Sequence, residues 1–250
     1  LARTFGYDDH ALVVGEQFSQ WVIEDWFSNR RPAWENHGAI FTSDVHAFET
    51  MKLRLLNGAH SIMAYTGYLS GLHYINDVME QPAFVNMIKQ YMSQEAGPLV
   101  DVPAPFSLSE YQQQLLTRFE NPSLKHRTWQ IAMDGSQKLP QRLLGTLATH
   151  LKANGPIETV TLGIAAWIRY VSATDETGQP IDVKDPHAQT LRELYQRNAS
   201  SQRELARAFL SFETVFGTDL QHNERAIDAI AQWLSYFAEK GVKQTIIDAF

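Results

Sequence analysis

The chain has no cysteine in its 250 residues. That excludes a disulfide scaffold, a thiol nucleophile, an iron–sulfur site and any cysteine-based zinc site. No apolar run approaches the roughly 18 residues that read as a membrane span; the nearest candidate, residues 159–168, is much shorter. A basic surplus is also missing: Lys plus Arg number 21 against 28 Asp plus Glu, a formal net charge of −7. Nucleic acid and anionic membrane both need a basic face, so neither is expected as a partner. None of the 14 glycines is spaced Gly-x-Gly, so there is no dinucleotide-binding fingerprint. The His-Glu-x-x-His, His-x-x-Glu-His and Gly-x-Ser-x-Gly patterns are absent too, and nine scattered histidines without cysteine argue against zinc. The chain opens without Met and without a signal-peptide pattern. The expectation is a cytoplasmic protein, and the missing Met points to a piece of something longer.

What remains reads as helix. Apolar residues at Phe18, Trp21, Val22, Ile23, Trp26 and Phe27 predict a helix over 11–29, ended by Arg31-Pro32. Residues 38–42 are a short strand or hairpin candidate. A long helix follows over 45–70, with Ser43 or Asp44 as its N-cap. Pro82 divides residues 76–91 into two helices, and Ser107-Leu-Ser-Glu110 opens another as a capping box. Further helices are predicted at 124–133, 139–153 and 161–171, then at 186–197, 201–214 and 224–240. The polar stretch 172–184 is the longest loop, and Asp185-Pro186 reads as a helix start. Gly67 and Gly71 form a Gly-x-x-x-Gly read as close helix packing. The fold class is mainly α: one multi-helix domain over 1–250, built around a long buried central helix. The strand–helix alternation of a doubly wound sheet is absent.

The 45–70 helix is apolar all round and carries Glu49, Lys52, Asn57 and His60 within it. At roughly 100° per residue, with Lys52 at zero, these project at about +60°, 0°, +140° and +80°. Lys and Glu are rarely buried unless paired or functional, so the arc suggests a polar cavity. A desolvated lysine can act as general base near neutral pH. An amide and an imidazole can hold a carbonyl or hydroxyl oxygen as charge develops on it. A nearby carboxylate can pass the proton to solvent. The alternative is an internal Glu49–Lys52 ion pair at i, i+3 beside a hydrogen-bonded core histidine, and spacing does not choose between the two.

A second patch, residues 121–140, concentrates Lys125, His126, Arg127 and Lys138 in an otherwise acidic chain. Arg127 and Gln130 lie at i, i+3 and share a helix face. Arginine suits a carboxylate because its fork binds both oxygens. On charge alone a solvated basic face is the simpler reading.

Lys52-x4-Asn57-x2-His60, in the setting Met-Lys-Leu-Arg-Leu-Leu-Asn-Gly-Ala-His-Ser, resembles the signature of the polyol-specific long-chain dehydrogenases, the mannitol dehydrogenase family. Residues 20–25 (Gln-Trp-Val-Ile-Glu-Asp) and 31–35 (Arg-Pro-Ala-Trp-Glu) match the same family. Residues 121–140 look most like its fructuronate reductase, or mannonate oxidoreductase, branch. The resemblance covers essentially the whole chain but only the C-terminal, substrate-binding half of such enzymes. It implies an NAD-dependent, metal-independent oxidoreductase acting on a sugar acid or polyol. By position it implies Lys52 as general base, Asn57 in the oxyanion hole, His60 contacting substrate, Glu49 on a proton path and Lys138 in the substrate pocket.

Mannitol-type members carry arginine where this chain has Gln130, while Arg127 stands one turn earlier. This departure, with Lys125 nearby, suits a sugar acid. The family's N-terminal nucleotide-binding domain is the expected partner and would hold NAD, so this piece alone is expected to fold but not to turn over. The alternatives are a mannitol- or arabinitol-type dehydrogenase domain and a non-catalytic helical interaction module. Three polar groups at 52, 57 and 60 argue against the last.

Overall fold

The computed structural model describes residues 6, 8–11, 15, 16, 18–104 and 106–250. They divide into a small unit, residues 1–45 with 122–124, and a large one, residues 46–121 with 125–250. In the small unit, β1 (Trp21–Glu24) pairs in parallel with β2 (Ala39–Thr42), in the register Trp21↔Ala39 to Glu24↔Thr42. The expected β2 is there, but the helix predicted over 11–29 is not. Its described part is strand and irregular chain, while residues 12–14 and 17 lie outside the described set. The Trp-Val-Ile run is β-branched and aromatic, and it found a strand partner across the 34–37 turn. Trp26, the residue that would have faced a core, is 86% exposed. Arg31 holds the unit together locally: its guanidinium lies 3.4 Å from the Phe41 ring centroid and pairs with Asp25 (3.0 Å) and Glu35 (2.7 Å).

The large unit begins with a near-continuous helix: α1 (Val45–Met51), a π-helical segment (Lys52–Asn57) and α2 (Gly58–Leu69). Then come α3 (Ile75–Met79), α4 (Pro82–Gln90) with a π-helical extension (Tyr91–Ala96), and α5 (Leu108–Phe119). The site-bearing stretch is α6 (Thr128–Ala132), α7 (Gly135–Leu139), a third π-helical segment (Pro140–Leu144) and α8 (Gly145–Ala153). The chain closes with α9 (Glu158–Tyr170), α10 (Ala188–Asn198), α11 (Gln202–Leu210), α12 (Glu213–Phe216) and α13 (Glu224–Ala249). The molecule is mainly α, as its patterning predicts.

The core forms where α9 packs between α2 and α13. Met51, Ile62, Met63, Ala64 and Tyr65 are fully buried on the central helix, and Leu162, Ile164 and Trp167 on α9. Burying the aliphatic and methionine side chains among them is worth roughly 1.5–3 kcal/mol each. Among the described residues no helix is long and apolar enough to cross a membrane.

Local signals behave in instructive ways. Pro82 opens α4 as predicted. The Ser107 hydroxyl accepts from the Glu110 N–H (3.2 Å) and donates to the Glu110 carboxylate (2.8 Å). The Gly-x-x-x-Gly reading is half right. Gly67 is a packing glycine, where an added Cβ would lie 2.5 Å from Val78 Cγ2. Gly71 is instead a helix terminator: at φ +75° its N–H bonds the Tyr68 carbonyl, while the Leu72 N–H reaches the Gly67 carbonyl. Those two bonds are a Schellman motif, which needs the left-handed residue at that place.

Asp185 opens the turn that leads into the following helix, which begins at Ala188: its carboxylate accepts from the His187 N–H (2.9 Å) and its carbonyl from the Ala188 N–H (3.1 Å). The same carboxylate also accepts from the Ser136 N–H (2.8 Å) and hydroxyl (2.6 Å), closing the N-terminus of α7 from across the fold. The last helix breaks at Gly241 (φ 80°, ψ 162°), immediately after its predicted span, and helix resumes beyond that kink to Ala249.

Candidate active site

The π-helical turn is what arranges the central helix. A π segment inserts about one residue into the turn, rotating everything after it by roughly 100°. Relative to Lys52, Asn57 then projects at about +40° and His60 at about −20°, so the three share an arc of about 60° instead of 140°. Gly58 makes the turn possible. An added Cβ there would collide with the Tyr91 hydroxyl and lie 3.0 Å from the Arg142 carbonyl oxygen. Tyr91 uses that close approach to donate to the Arg54 carbonyl at 3.0 Å, inside the π segment. The three π segments meet here: Lys52–Asn57 packs against both of the others.

Asn57 and His60 face a cavity of about 310 Å³, the lower end of the usual small-molecule range. Its other polar walls come from His126, Arg127 and Gln130 before and on α6, and from Lys138 and Arg142 on α7 and the π segment after it. Ile131 supplies the apolar wall. None of these lining side chains is acidic.

Several of these groups are held in place. Thr128 donates to the Leu72 carbonyl (2.9 Å), and its N–H bonds the His73 carbonyl, fixing the start of α6. Arg127 stands extended at the N-cap, which puts it and Gln130 on the cavity side. Lys138 Nζ donates to the Met133 (2.5 Å) and Ile131 (3.4 Å) carbonyls and lies 3.9 Å from Asp134. Burial, then the charge of Arg142, lowers its pKa, against the pull of Asp134 and Asp185. Arg142 is half-buried and donates from Nη1 to the buried Ser61 hydroxyl at 3.1 Å. Burial holds its guanidinium below the ordinary value.

His60 lies tilted against Phe119 at 4.6 Å and sits 6.1 Å from His126, centroid to centroid. Burial first, then the charges of His126, Arg142 and Arg118, lowers its pKa to about 3. It is therefore a neutral imidazole at physiological pH, with one N–H to donate and one nitrogen to accept.

Of the residues singled out from sequence, the structure thus gathers Asn57, His60, Arg127, Gln130 and Lys138 around one cavity. Three others stand apart. Lys125, at φ +47°, is turned so that its ammonium lies 5.0 Å from the Tyr74 ring centroid. Lys52 is exposed and does not line the cavity, so the burial expected for it is not provided by these residues. Glu49 is exposed as well. It lies 3.6 Å from His46 rather than paired to Lys52, which removes the internal ion-pair alternative.

Arg142 and His126 are the lining groups that sequence reasoning passed over as site residues. The i, i+4 spacing of Lys138 and Arg142 was the available signal for the first. Among the described residues no cluster of three or more His, Asp or Glu is placed to hold a metal ion.

Residues 44–237 match the family described as "Mannitol dehydrogenase C-terminal domain". D-mannonate oxidoreductase from Escherichia coli (strain K12) is 43% identical over 247 residues, covering 98% of this chain and 50% of that protein. Mannitol 2-dehydrogenase from Neosartorya fischeri is 38% identical over 249 residues, covering 98% of this chain and 49% of its own length. Among solved structures, the Pseudomonas fluorescens mannitol 2-dehydrogenase ternary complex with NAD and D-mannitol superposes with a TM-score of 0.85. It does so at 31% identity, over 93% of this chain and 46% of that one. The chain spans about half the length of the curated relatives it matches. Its fold, its central helix and these matches place it in the mannitol dehydrogenase family, as a C-terminal domain.

Proposed function

We propose that this chain is the substrate-binding and catalytic half of an NAD-dependent, metal-independent oxidoreductase that interconverts D-mannonate and D-fructuronate. The observation that carries the reading is the cavity itself. Asn57 and His60 form one wall, and His126, Arg127, Lys138 and Arg142 surround it without a carboxylate among them. Such a surface fits a sugar that bears an anion better than a neutral polyol.

Lys52 takes the hydroxyl proton in oxidation and returns it in reduction. Asn57 stabilises the alkoxide-like oxygen, and the neutral His60 orients it by hydrogen bonding, not by proton transfer. Glu49, exposed one turn before Lys52, relays the proton to solvent. Arg127 and Gln130 meet the sugar from α6, with Lys138 beyond them, while Lys125 lends charge from outside the cavity.

The described residues do not fit a dinucleotide: there is no Gly-x-Gly, and between the two short strands of the sheet lies a single 3-10 turn, Trp34–His37. NAD is assigned instead to a nucleotide-binding domain N-terminal to this chain, a reading supported by the half-length match to the relatives. The isolated chain is accordingly a binding domain without turnover.

The test is NADH consumption by the complete protein offered fructuronate, tagaturonate and fructose side by side. Preference for fructuronate supports the reading; preference for fructose replaces it with a mannitol-type polyol dehydrogenase, which the 38% identity to mannitol 2-dehydrogenase favours as the second reading. No turnover of any of the three would leave a helical interaction module. In the active protein Lys52→Ala lowers kcat by roughly 10²–10⁴-fold, and Arg127→Ala raises KM for mannonate. An unchanged KM would remove Arg127 from substrate binding.

A further inference from the structure

Among the basic groups of the cavity, one differs in kind from the rest. Lys138 spends two of its three donors on the Met133 and Ile131 carbonyls and has Asp134 at 3.9 Å. Arg127 is exposed and borders a second cavity, lined by Tyr68, His73 and Tyr74, as well as the first. His126 is exposed. Arg142 alone is a permanently charged fork, half-buried, with no acidic partner among the described residues. Among the described residues its one hydrogen bond, from Nη1 to Ser61, leaves most of the five donors free.

Arginine is rarely buried without a counter-charge. The Ser61 bond also fixes the fork next to His60, on the same helix and against the same cavity as Asn57. A preorganised guanidinium that lacks only its carboxylate is an incomplete ion pair, and a bound carboxylate completes it bidentately.

We propose that Arg142, oriented by Ser61, is the anchor for the substrate's carboxylate and the residue that selects a sugar acid over the corresponding neutral sugar. This rests on the sugar-acid reading above and deepens it. Arg127 then meets the anion at the mouth, where a screened charge affects capture more than selectivity.

The experiment measures kcat and KM of the complete protein and of its Arg142→Gln, Arg142→Lys and Arg127→Gln variants, with D-fructuronate and D-fructose as paired substrates. Thermal melting checks that each variant is folded. Arg142→Gln is expected to raise KM for fructuronate on the order of 10- to 100-fold, a larger rise than for fructose. Arg142→Lys restores charge but not the fork and recovers only part of the loss. Arg127→Gln costs less, and its effect shrinks as salt rises.

An equal loss on both substrates makes Arg142 a structural residue and overturns the inference while the sugar-acid reading stands. So does an unchanged fructuronate KM. If the unmodified protein prefers fructose, the sugar-acid reading itself has failed and the inference with it. Should Arg142→Gln not fold, Ser61→Ala supplies the same comparison: a fructuronate-specific rise in KM supports the anchor, and none overturns it.

Discussion

His60 shows how one environment fixes both a chemical role and a pH response. Burial beside His126, Arg142 and Arg118 holds its folded-state pKa at about 3, below the ordinary 6.5. Across that interval the unfolded chain binds the proton more readily than the folded one. The stability this group contributes is therefore complete above about pH 6.5 and is lost as the pH falls through the folded value. His60→Gln keeps a hydrogen-bonding side chain but cannot titrate. Melting temperatures at pH 7, 5 and 4 should fall less steeply in that variant than in the parent; parallel curves would mean that His60 does not couple to folding. The same neutrality predicts that His60 adds no limb near pH 6.5 to the rate profile of the complete enzyme, since an imidazole that never charges there cannot act as the titrating acid or base.

At the scale of elements, the three π turns do the arranging and the helix caps hold them. Gly58→Ala would press its methyl into the Tyr91 hydroxyl and the Arg142 carbonyl. We expect a loss of about 1–3 kcal/mol in urea unfolding. Tyr91→Phe, which removes the colliding oxygen, should return part of it in the double variant; strict additivity would show that the two do not share the site. Glu95 is the matching cap. Its buried carboxylate accepts from the Thr159 (2.6 Å) and Val160 (2.7 Å) N–H groups in the first turn of α9, and burial raises its pKa to about 7. Here the folded chain holds the proton more tightly. This group's contribution is full below the ordinary 4.5 and lost as pH rises through about 7. Glu95→Gln should flatten stability across that window, whereas an unchanged slope from pH 5 to 8 would contradict the assignment. These elements also show what a sequence reveals. The capping box at Ser107 and the apolar run of α9 are local patterns and were legible. Asn57 and His60 were legible as polar residues in an apolar helix. The π turn was not, because it depends on Tyr91 and on the backbone of Arg142, which reach it from far along the chain. The second role of Asp185 was hidden for the same reason: Ser136 lies 49 positions away, whereas its bond to the His187 N–H is local.

Across the whole molecule, order is unevenly supported. The large unit has a contiguous core, whereas among the described residues of the small unit Ala39 is the one that is buried. Most of its described aromatic residues are outside: Trp21 is 55% exposed, and Trp26, Phe27 and Trp34 are exposed too, with Phe41 half-buried. This is also where the sequence misled, since aromatic and β-branched residues at helical spacing predict a buried helical face only if something covers it. A two-stranded sheet with so little buried surface is marginal by itself. Local opening should therefore start here rather than in the 172–187 loop, which Asp185 and Asp182 tie to α6 and α7 through Ser136 and the Trp129 indole. Brief chymotrypsin digestion of the 250-residue chain should cut first after Trp26 or Phe27, leaving a resistant product that keeps the far-UV helical signal. First cuts within 172–187, or a loss of helix in step with the first cut, would show that the small unit is as firmly held as the helices that carry the cavity.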